Sequence, residues 1–364
     1  MKIVFSGGGT AGHVYPAVAM AEEIEDKYPD AEFLFIGRVG GDEGSAVTKA
    51  GYDLINIEIE GLKRGLDIRN IPILIKALRA EGTAKRILAD FCPDLVIGTG
   101  GYVAYPVINA AIKLGIPSLL HESNAVPGLV TKLLSPKVDR VMLGFKECQS
   151  LLPRNSRCIY TGNPVRRGFS KIKRQSARRL CKLSSKDFVI VSFGGSLGAE
   201  ALNKAILSSM KLERGIRDTV HIHATGRRYY EKLSKEYPEF VKNSGSRIIP
   251  YIDNMPELLS AADLAITRSG AITTAELTAL GLPSILIPSP NVTGNHQLKN
   301  AKVIEALGGA VVIEEKELSG DRLFEIIKKL RGDRGLLSVM SRSLITSEAR
   351  GDRRRPLSVI EEYL

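Results

Sequence analysis

The chain has 364 residues, of which 44% are hydrophobic and 25% charged, and its formal net charge is +11. This length fits two domains of ordinary size, and the composition is that of a soluble globular protein. The charge favours an anionic partner, yet aromatic residues are scarce, Trp is absent and no nucleic-acid-binding module is recognisable. We therefore expect an acidic small substrate or an anionic membrane surface, and no nucleic acid.

The four cysteines form no CxxC pair and no metal-site spacing, so we interpret them as reduced, cytoplasmic thiols. Met1 and Lys2 lead directly into an apolar run, and we expect no signal peptide before the fold. No apolar run reaches the length of a bilayer-spanning helix, so any membrane contact is expected to be peripheral. The cysteines are Cys92, Cys148, Cys158 and Cys181.

Short runs rich in Val, Ile, Leu and Phe alternate with helical stretches along the chain. In the first half these runs are residues 2–6, 33–36, 95–97, 118–120 and 140–143. In the second half they are residues 188–193, 220–224, 247–249, 264–267, 284–287 and 310–313. Continuous apolar runs are typical of strands covered by helices on both faces, and the alternation predicts parallel, doubly wound sheets in the α/β class.

The order strand, glycine-rich turn, helix occurs once in each half. We call residues 7–12 the first glycine turn and residues 194–198 the second glycine turn. Two such openings predict two Rossmann-like domains facing a cleft. Gly162 and Pro164 interrupt the chain before a basic helical stretch, so we predict domains at 1–163 and 164–340. Residues 341–364 are predicted to form a helical tail that returns to the first domain.

The first glycine turn contains Gly7-x-Gly9-x-x-Gly12, which matches the dinucleotide-binding fingerprint between a strand and a helix. The second strand, however, is followed by Arg38, where an NAD site needs an acidic residue for the ribose. Arg38 could bind a 2′-phosphate, so an NADP-dependent oxidoreductase remains an alternative. The turn itself indicates only backbone N–H groups at a helix N-terminus, facing an anion or a sugar.

His13 directly follows the first glycine turn, in the first turn of the predicted helix. The helix dipole there disfavours the imidazolium form, so a neutral ring can accept a proton near pH 7. A capping or core histidine is the alternative interpretation.

The second glycine turn is a candidate diphosphate cradle, because its small residues let the backbone approach phosphate and Ser196 adds a donor. A purely structural turn is the alternative. Further on, a strand ends near Arg268 and a helix carries Glu276 close to its start. Such a carboxylate can accept hydrogen bonds from ribose hydroxyls while Arg268 and the helix N-terminus meet phosphate. Complementing the helix dipole is the other explanation for Glu276.

The chain contains no Asp-x-Asp pair and no His, Cys and carboxylate cluster, so we predict no metal site. The charge of a departing diphosphate would then be stabilised by helix N-termini and arginines.

Ile68, Ile71, Ile75 and Leu78 recur at helical spacing, with several basic residues nearby. This segment is either an amphipathic helix that lies on an anionic membrane or an ordinary helix that packs on a sheet.

Seven motifs, in order, resemble those of the MurG family of peptidoglycan N-acetylglucosaminyltransferases, and the resemblance covers essentially the whole chain. The motifs are Gly8-Gly9-Thr10-Ala11-Gly12-His13, Gly100-Gly101-Tyr102, His121-Glu122-Ser123-Asn124, Gly162-Asn163-Pro164-Val165-Arg166, Gly194-Gly195-Ser196-x-Gly198-Ala199, Arg268-Ser269-Gly270-Ala271 through Glu276, and His296-Gln297-x-x-Asn300-Ala301.

The resemblance implies a two-domain GT-B fold and an inverting transfer without a cofactor or an obligatory metal. N-acetylglucosamine would move from UDP-GlcNAc to the 4-hydroxyl of N-acetylmuramoyl-pentapeptide on undecaprenyl diphosphate (lipid I), which gives lipid II. The enzyme would lie peripherally at the cytoplasmic face of the cell membrane, where the Ile68–Leu78 region resembles the family's membrane-docking region.

The resemblance also implies roles for individual residues. His13 is the candidate base, although Glu122 and Tyr102 lie on loops predicted to face the same cleft. Ile252 matches the position that contacts uracil, Glu276 the ribose and Gln297 the GlcNAc. The implied donor-binding set is Thr10, Ala11, Gly12, Asn124, Arg166, Ser196, Ile252, Arg268, Ala271, Ile272, Thr273, Thr274, Ala275, Glu276 and Gln297. The acceptor-side candidates are Tyr102, His121 and Glu122, and the membrane-contact candidates are Ile71, Ile75 and Leu78.

Two positions depart from the family pattern: Ala11 replaces a glycine, and Ser123 replaces a glutamine. If position 11 needs a positive φ, alanine there costs about 1 kcal/mol. The nearest enzymatic alternative is a UDP-GlcNAc 2-epimerase, which shares the two-domain layout but needs no lipid acceptor.

Overall fold

The computed structural model describes residues 1–39, 43–61, 70–195, 197–241, 245–348 and 353–364. The chain divides into two compact units, Met1–Arg167 with Gly351–Leu364, and Gly168–Arg350. Each unit contains one sheet in which every described strand pair is parallel. The predicted α/β class with two doubly wound sheets is therefore confirmed.

The first unit is built on a seven-stranded sheet of order β3-β2-β1-β4-β5-β6-β7. Its strands are β1 (Lys2–Gly7), β2 (Glu32–Arg38), β3 (Asp53–Ile57), β4 (Leu95–Gly100), β5 (Ser118–Glu122), β6 (Arg140–Leu143) and β7 (Cys158–Tyr160). Its helices are α1 (Ala11–Lys27), α2 (Glu43–Lys49), α3 (Asn70–Phe91), α4 (Ala104–Leu114) and α5 (Leu129–Leu134), with a 3₁₀ turn at Lys146–Leu151.

The second unit is built on a six-stranded sheet of order β10-β9-β8-β11-β12-β13. After α6 (Gly168–Lys171) and α7 (Arg174–Leu180), its strands are β8 (Phe188–Phe193), β9 (Thr219–Ala224), β10 (Arg247–Ile249), β11 (Leu264–Thr267), β12 (Ser284–Leu286) and β13 (Ala310–Val312). Its further helices are α8 (Glu200–Glu213), α9 (Arg227–Glu236), α10 (Met255–Ala261), α11 (Ala271–Ala279), α12 (His296–Ala306), α13 (Gly320–Gly332) and α14 (Arg334–Glu348).

The strands of the first sheet have apolar residues on both faces because both faces are covered. Ile3 and Phe5 belong to one buried cluster, whereas Val4 between them belongs to another. Successive side chains of a strand point to opposite faces, so a strand between two helical layers must be apolar at every position. This requirement explains why the central strands read as continuous apolar runs.

The strand order places the glycine turns at the points where each sheet changes winding direction. β1 lies between β2 and β4, and β8 lies between β9 and β11. The loops that leave neighbouring strands at such a point diverge to opposite faces, and ligands of doubly wound sheets bind in the resulting crevice. The first glycine turn follows β1 and the second follows β8.

The C-terminal residues are shared between the units. Helix α14 belongs to the second unit, whereas residues 353–364, with α15 (Pro356–Ile360), belong to the first. Tyr28 Oη donates to Glu361 at 2.9 Å, and Arg353 Nε donates to the Thr161 carbonyl at 2.6 Å. These bonds attach the last segment to α1 and to the end of β7. No helix within the described ranges combines the length and the apolar character needed to cross a bilayer.

Candidate active site

The first glycine turn is in backbone contact with the turn that follows β4. A methyl group added at Gly101 would lie 2.0 Å from the Gly8 carbonyl oxygen, and one added at Gly7 would lie 2.0 Å from Thr99 Oγ1. Gly101 also has a φ of +76°, which L side chains rarely adopt. The ring of Tyr102 covers Gly9, 3.2 Å from the position a methyl group there would take. Glycine is therefore required at this junction for both space and backbone conformation.

His13 lies half-buried beside this junction, and its hydrogen bonds define its tautomer. Its Nδ1 is 3.0 Å from the Gly8 carbonyl oxygen and 3.2 Å from Thr10 Oγ1. A carbonyl oxygen only accepts, so Nδ1 carries the proton. In the neutral ring, Nε2 then holds the lone pair, which is the requirement for a general base.

Both carboxylate oxygens of Glu122 accept hydrogen bonds from neighbouring residues of the first unit. Its Oε1 accepts hydrogen bonds from the backbone and side-chain nitrogens of Asn124, at 3.1 and 3.3 Å. Its Oε2 accepts from Gly128 N at 2.9 Å and from Thr131 Oγ1 at 2.6 Å, at the start of α5. The carboxylate is 5% exposed. Four hydrogen bonds to one buried carboxylate make Glu122 a support for Asn124 and α5, and the assignment of His13 as the base stays a prediction.

His121 is buried in the first sheet, and its ring is 1% exposed. Its Nε2 lies 3.4 Å from the Gly162 carbonyl oxygen, and its Nδ1 lies 3.3 Å from Ser123 Oγ. Burial lowers the pKa of His121 to about 4, so the ring is neutral near pH 7. Ser123, one of the two departures from the family pattern, thus supplies the hydroxyl for this buried ring.

The remaining residues predicted for the first unit lie around the same turn. Thr10 and Gly12 are exposed, and the backbone of residue 11 is helical at the start of α1, so this position does not need a positive φ. The Arg166 guanidinium stacks on the Tyr15 ring of α1 at 4.4 Å. This stacking orients a cation near the start of the chain's first helix.

The second glycine turn has the backbone that its composition predicts. Gly195 and Gly198 have φ values of +92° and +74°, and the N-terminus of α8 follows at residue 200. A methyl group at Gly198 would lie 2.3 Å from the Thr225 carbonyl oxygen, so the turn packs directly on the end of β9. Ser196, the predicted side-chain donor, lies outside the described residues.

Arg268 has protein partners for its guanidinium. Its Nη1 donates to the carbonyls of Ile287 and Pro288 at 3.2 and 3.3 Å, and its Nη2 forms an ion pair with Glu315. The side chain is 13% exposed. Arg268 therefore ties the carboxyl end of β11 to those of β12 and β13, and its predicted contact with diphosphate stays a prediction.

Helix α11 begins after Gly270, whose extended backbone has φ −63° and ψ 142°. The Glu276 side chain is only 4% exposed, and Ile252 is 3% exposed. Gln297 Oε1 accepts from Ser289 N at 2.9 Å, which orients the side-chain amide. In the predicted set 271–275, Ala271, Ile272 and Thr274 are buried, and Thr273 and Ala275 are half-buried.

Several residues that shape the two sites belong to none of the motifs recognised in the sequence. Thr99 Oγ1 donates to the His13 carbonyl at 2.6 Å, and Glu315 pairs with Arg268. Ser289 fixes the amide of Gln297. All three lie at or just after the carboxyl end of a strand. Their position after a predicted strand could have identified them, because ligand-facing loops leave parallel strands at this edge.

The membrane-contact candidates lie at the start of α3. Ile75 is 48% exposed and Leu78 is 70% exposed, so neither is packed into the core. The side chain of Ile71 and all of residues 62–69, which include Ile68, lie outside what the structure describes.

The second unit also contains a cavity of about 440 Å³ at the opposite, amino edge of its sheet. It is lined by residues that precede strands, such as Asp263 and Pro283, and by α14. The cavity is therefore at the other end of the strands from the second glycine turn.

Comparison with known proteins identifies the family. Residues 3–143 match the glycosyltransferase family 28 N-terminal domain, and residues 189–352 match the corresponding C-terminal domain. A relative from Acetivibrio thermocellus is 43% identical over 94% of this chain and 93% of its own length. It is named UDP-N-acetylglucosamine–N-acetylmuramyl-(pentapeptide) pyrophosphoryl-undecaprenol N-acetylglucosamine transferase.

Solved structures agree at the level of the fold. The crystal structure of Acinetobacter baumannii MurG is 26% identical, covers 100% of this chain and 99% of its own, and superposes with a TM-score of 0.74. A protein described as a UDP-N-acetylglucosamine 2-epimerase from Listeria monocytogenes has a TM-score of 0.66 but only 13% identity, with 94% and 90% of the chains covered. The chain therefore belongs to glycosyltransferase family 28, and within it to the MurG family of N-acetylglucosamine transferases.

Proposed function

We propose that this protein transfers N-acetylglucosamine from UDP-GlcNAc to the 4-hydroxyl of lipid I and thereby forms lipid II. The observation that carries this proposal is the 43% identity, over 94% of this chain, with a relative that is named for this transfer. An epimerase shares only the fold, and the fold alone does not define an activity. An NADP-dependent oxidoreductase has no support from the family to which the chain belongs.

His13 acts as the general base in the proposed mechanism. The acceptor hydroxyl oxygen attacks the anomeric carbon of GlcNAc from the face opposite UDP, while Nε2 of His13 takes the hydroxyl proton. The new bond joins this oxygen to the anomeric carbon, the bond to the diphosphate oxygen breaks, and UDP departs with the electron pair. The proton on Nδ1, bonded to the Gly8 carbonyl, supports this role because it directs the lone pair to Nε2.

The donor is bound by residues of both glycine turns and of α11. We assign Glu276 to the ribose, Ile252 to uracil and Gln297 to the GlcNAc ring. Backbone N–H groups, Arg166 and Arg268 stabilise the departing diphosphate, without a cofactor or an obligatory metal. Arg268 must loosen its pair with Glu315 to contact phosphate. The other proposed donor contacts are Thr10, Ala11, Gly12, Asn124, Ser196 and residues 271–275.

The acceptor side is formed by loops of the first unit. Tyr102, which covers Gly9, is proposed to contact the acceptor directly. Glu122 and His121 act indirectly, because the first holds Asn124 and the second is buried.

A transfer assay tests this function. Labelled GlcNAc from UDP-GlcNAc should appear on a lipid I analogue with EDTA present and NADP absent. Incubation with UDP-GlcNAc alone should leave the donor unchanged, whereas an epimerase would form UDP-ManNAc. Absence of transfer by folded protein with an authentic acceptor would refute the proposal, and product formation only without EDTA would refute the metal-free mechanism.

We also propose that the protein binds the cytoplasmic face of the cell membrane peripherally through the start of α3. Exposed Ile75 and Leu78 supply apolar contact, and the net charge of +11 favours anionic phospholipid. Leu78→Asp should lower co-flotation with phosphatidylglycerol vesicles several-fold. Leu180→Asp, at a leucine that is 67% exposed in the second unit, should not. Equal flotation of both variants and the unsubstituted protein would rule out this surface.

A further inference from the structure

A chain of buried polar side chains lies beneath the second glycine turn. Glu213 Oε2 lies 2.8 Å from His221 Nδ1, and His221 Nε2 lies 2.7 Å from Ser192 Oγ. Ser192 Oγ is also 2.9 Å from His223 Nδ1, and His223 Nε2 lies 3.1 Å from Asn203 Oδ1. None of these residues is more than 3% exposed. A hydrogen-bonded path therefore runs from the end of α8 through β8 and β9 to the start of α8.

The acceptor carbonyl of Thr225 defines the donors at one end of this path. Asn203 Nδ2 donates to the Thr225 carbonyl at 2.9 Å, so Asn203 Oδ1 is the acceptor for His223. His223 Nε2 therefore faces an oxygen that only accepts, and its Nδ1 lies 3.2 Å from the Ser192 carbonyl oxygen, which also only accepts. Burial lowers the pKa of His223 to about 3, so the ring is neutral and its single proton serves one of these two bonds. With the proton on either nitrogen, the ring links the carboxyl end of β8 to the first turn of α8.

At the other end of the path, His221 joins Ser192 to Glu213. Its Nε2 lies 2.7 Å from Ser192 Oγ, and its Nδ1 lies 2.8 Å from Glu213 Oε2. Glu213 Oε1 in turn accepts from Ser209 Oγ at 2.7 Å. Every member of the path therefore has buried hydrogen-bond partners on both sides, which is the condition under which a buried polar network stabilises one arrangement.

Both ends of the second glycine turn are attached to this path. Ser192 is next to the last residue of β8 and precedes Gly194, whereas Asn203 lies in the first turn of α8, directly after the turn. The path also holds the Thr225 carbonyl, against which Gly198 is packed with no room for a side chain. A displaced Ser192 or Asn203 would thus displace the backbone N–H groups of the turn and the N-terminus of α8.

We infer that Ser192, His223 and Asn203 are positioning residues that set the second glycine turn for the diphosphate of the nucleotide donor. This inference rests on the proposed function, in which that turn faces the diphosphate. The three residues touch no ligand themselves. They act through the turn, so their loss should weaken donor binding specifically and leave acceptor binding unchanged.

Two serines of this network allow a matched test. Ser192→Ala removes the hydroxyl that joins His221 to His223, beneath the turn. Ser209→Ala removes an equally buried hydroxyl, which donates to Glu213 Oε1 at 2.7 Å at the far end of the path. Both variants lose a buried hydrogen bond, so both should have lower Tm values. The KM for UDP-GlcNAc and the calorimetric Kd for UDP should rise about three- to tenfold for Ser192→Ala, and less than twofold for Ser209→Ala.

The outcomes separate the inference from the function on which it rests. Equal donor KM values for the two variants, in a protein that transfers normally, would overturn the positioning role alone. Absence of transfer and of UDP binding by the unsubstituted protein would overturn both. Ser192→Cys keeps a side-chain donor of similar size and should restore much of the donor affinity. If Ser192→Ala does not fold, Asn203→Ala against Ser209→Ala decides: a UDP Kd equal to that of the unsubstituted protein would overturn the inference, and one raised about three- to tenfold would support it.

Discussion

The two glycine turns begin alike in the sequence and are supported in opposite ways in the structure. The first packs backbone to backbone against Gly101, and its histidine, His13, lies half-buried beside it. The second rests on a fully buried polar path that contains His221 and His223. A histidine near a glycine turn therefore has no fixed role. Burial and hydrogen-bond partners decide whether its ring can meet a ligand or only orients backbone.

The largest effect expected from this comparison is at His13. His13→Ala should lower kcat by about 10²- to 10⁴-fold, because a general base contributes on that order. The Kd for UDP should stay within twofold, which calorimetry measures.

Glu122→Gln is the contrasting variant. The four hydrogen bonds that its carboxylate accepts mean that stability should fall while kcat decreases less than tenfold. A folded Glu122→Gln protein as inactive as His13→Ala would transfer the role of base to Glu122.

The packing of the two turns can be tested with pairs of glycines. Gly101→Ala and Gly198→Ala should each lower the free energy of unfolding by about 3 kcal/mol, because the methyl group meets a backbone oxygen at a positive φ. Gly115→Ala and Gly195→Ala have positive φ values but no neighbouring atom within 4 Å. These controls should lose only about 1 kcal/mol in urea unfolding. An equal loss for Gly101→Ala and Gly115→Ala, or for Gly198→Ala and Gly195→Ala, would contradict the close packing.

Acid should destabilise both units through their buried histidines. The pKa of His121 is lowered to about 4 and that of His223 to about 3, from an ordinary value of 6.5. Below pH 6.5 the unfolded chain binds protons that the folded chain does not. The free energy of unfolding is therefore greatest above pH 6.5 and decreases as the pH is lowered. Each of the two histidines should lower the free energy of unfolding by about 3 kcal/mol at pH 4.

Urea unfolding at pH 7 and pH 4.5 measures this loss. His121→Asn should be less stable than the unsubstituted protein at pH 7, yet its stability should change less with pH. An unaltered pH dependence in both His121→Asn and His223→Asn would show that other groups cause the acid sensitivity.

The smallest expected effect concerns Glu315. Glu315→Gln removes the charge that pairs with Arg268 and should lower the free energy of unfolding by about 1 kcal/mol, since the pair is partly exposed. If Arg268 contacts the diphosphate, the unpaired guanidinium should tighten UDP binding two- to threefold. Weaker UDP binding would indicate that the ion pair orients the site, and that Arg268 does not reach the phosphate.

The strands show which parts of the fold were readable from the sequence. The central strands were predicted because burial on two faces demands continuous apolar residues. β3 and β7 were missed, and both lie at the edges of the first sheet. Three of the five residues of β3 are exposed, and none of those of β7 is buried. An edge strand is recognised by its pairing with a neighbour, which no local pattern records.

The α/β class, the two glycine turns and the motifs that mark the family could be read from the amino-acid sequence, because each depends on residues close together in the chain. The chemistry available to individual side chains could not, because it is set by the folded structure. It directs the lone pair of His13 to Nε2, occupies Glu122 with four hydrogen bonds and pairs Arg268 with Glu315. It also buries His223 beneath the second turn. Protonation and hydrogen bonding depend on burial and on partners that are distant in the sequence, and only the fold brings them together.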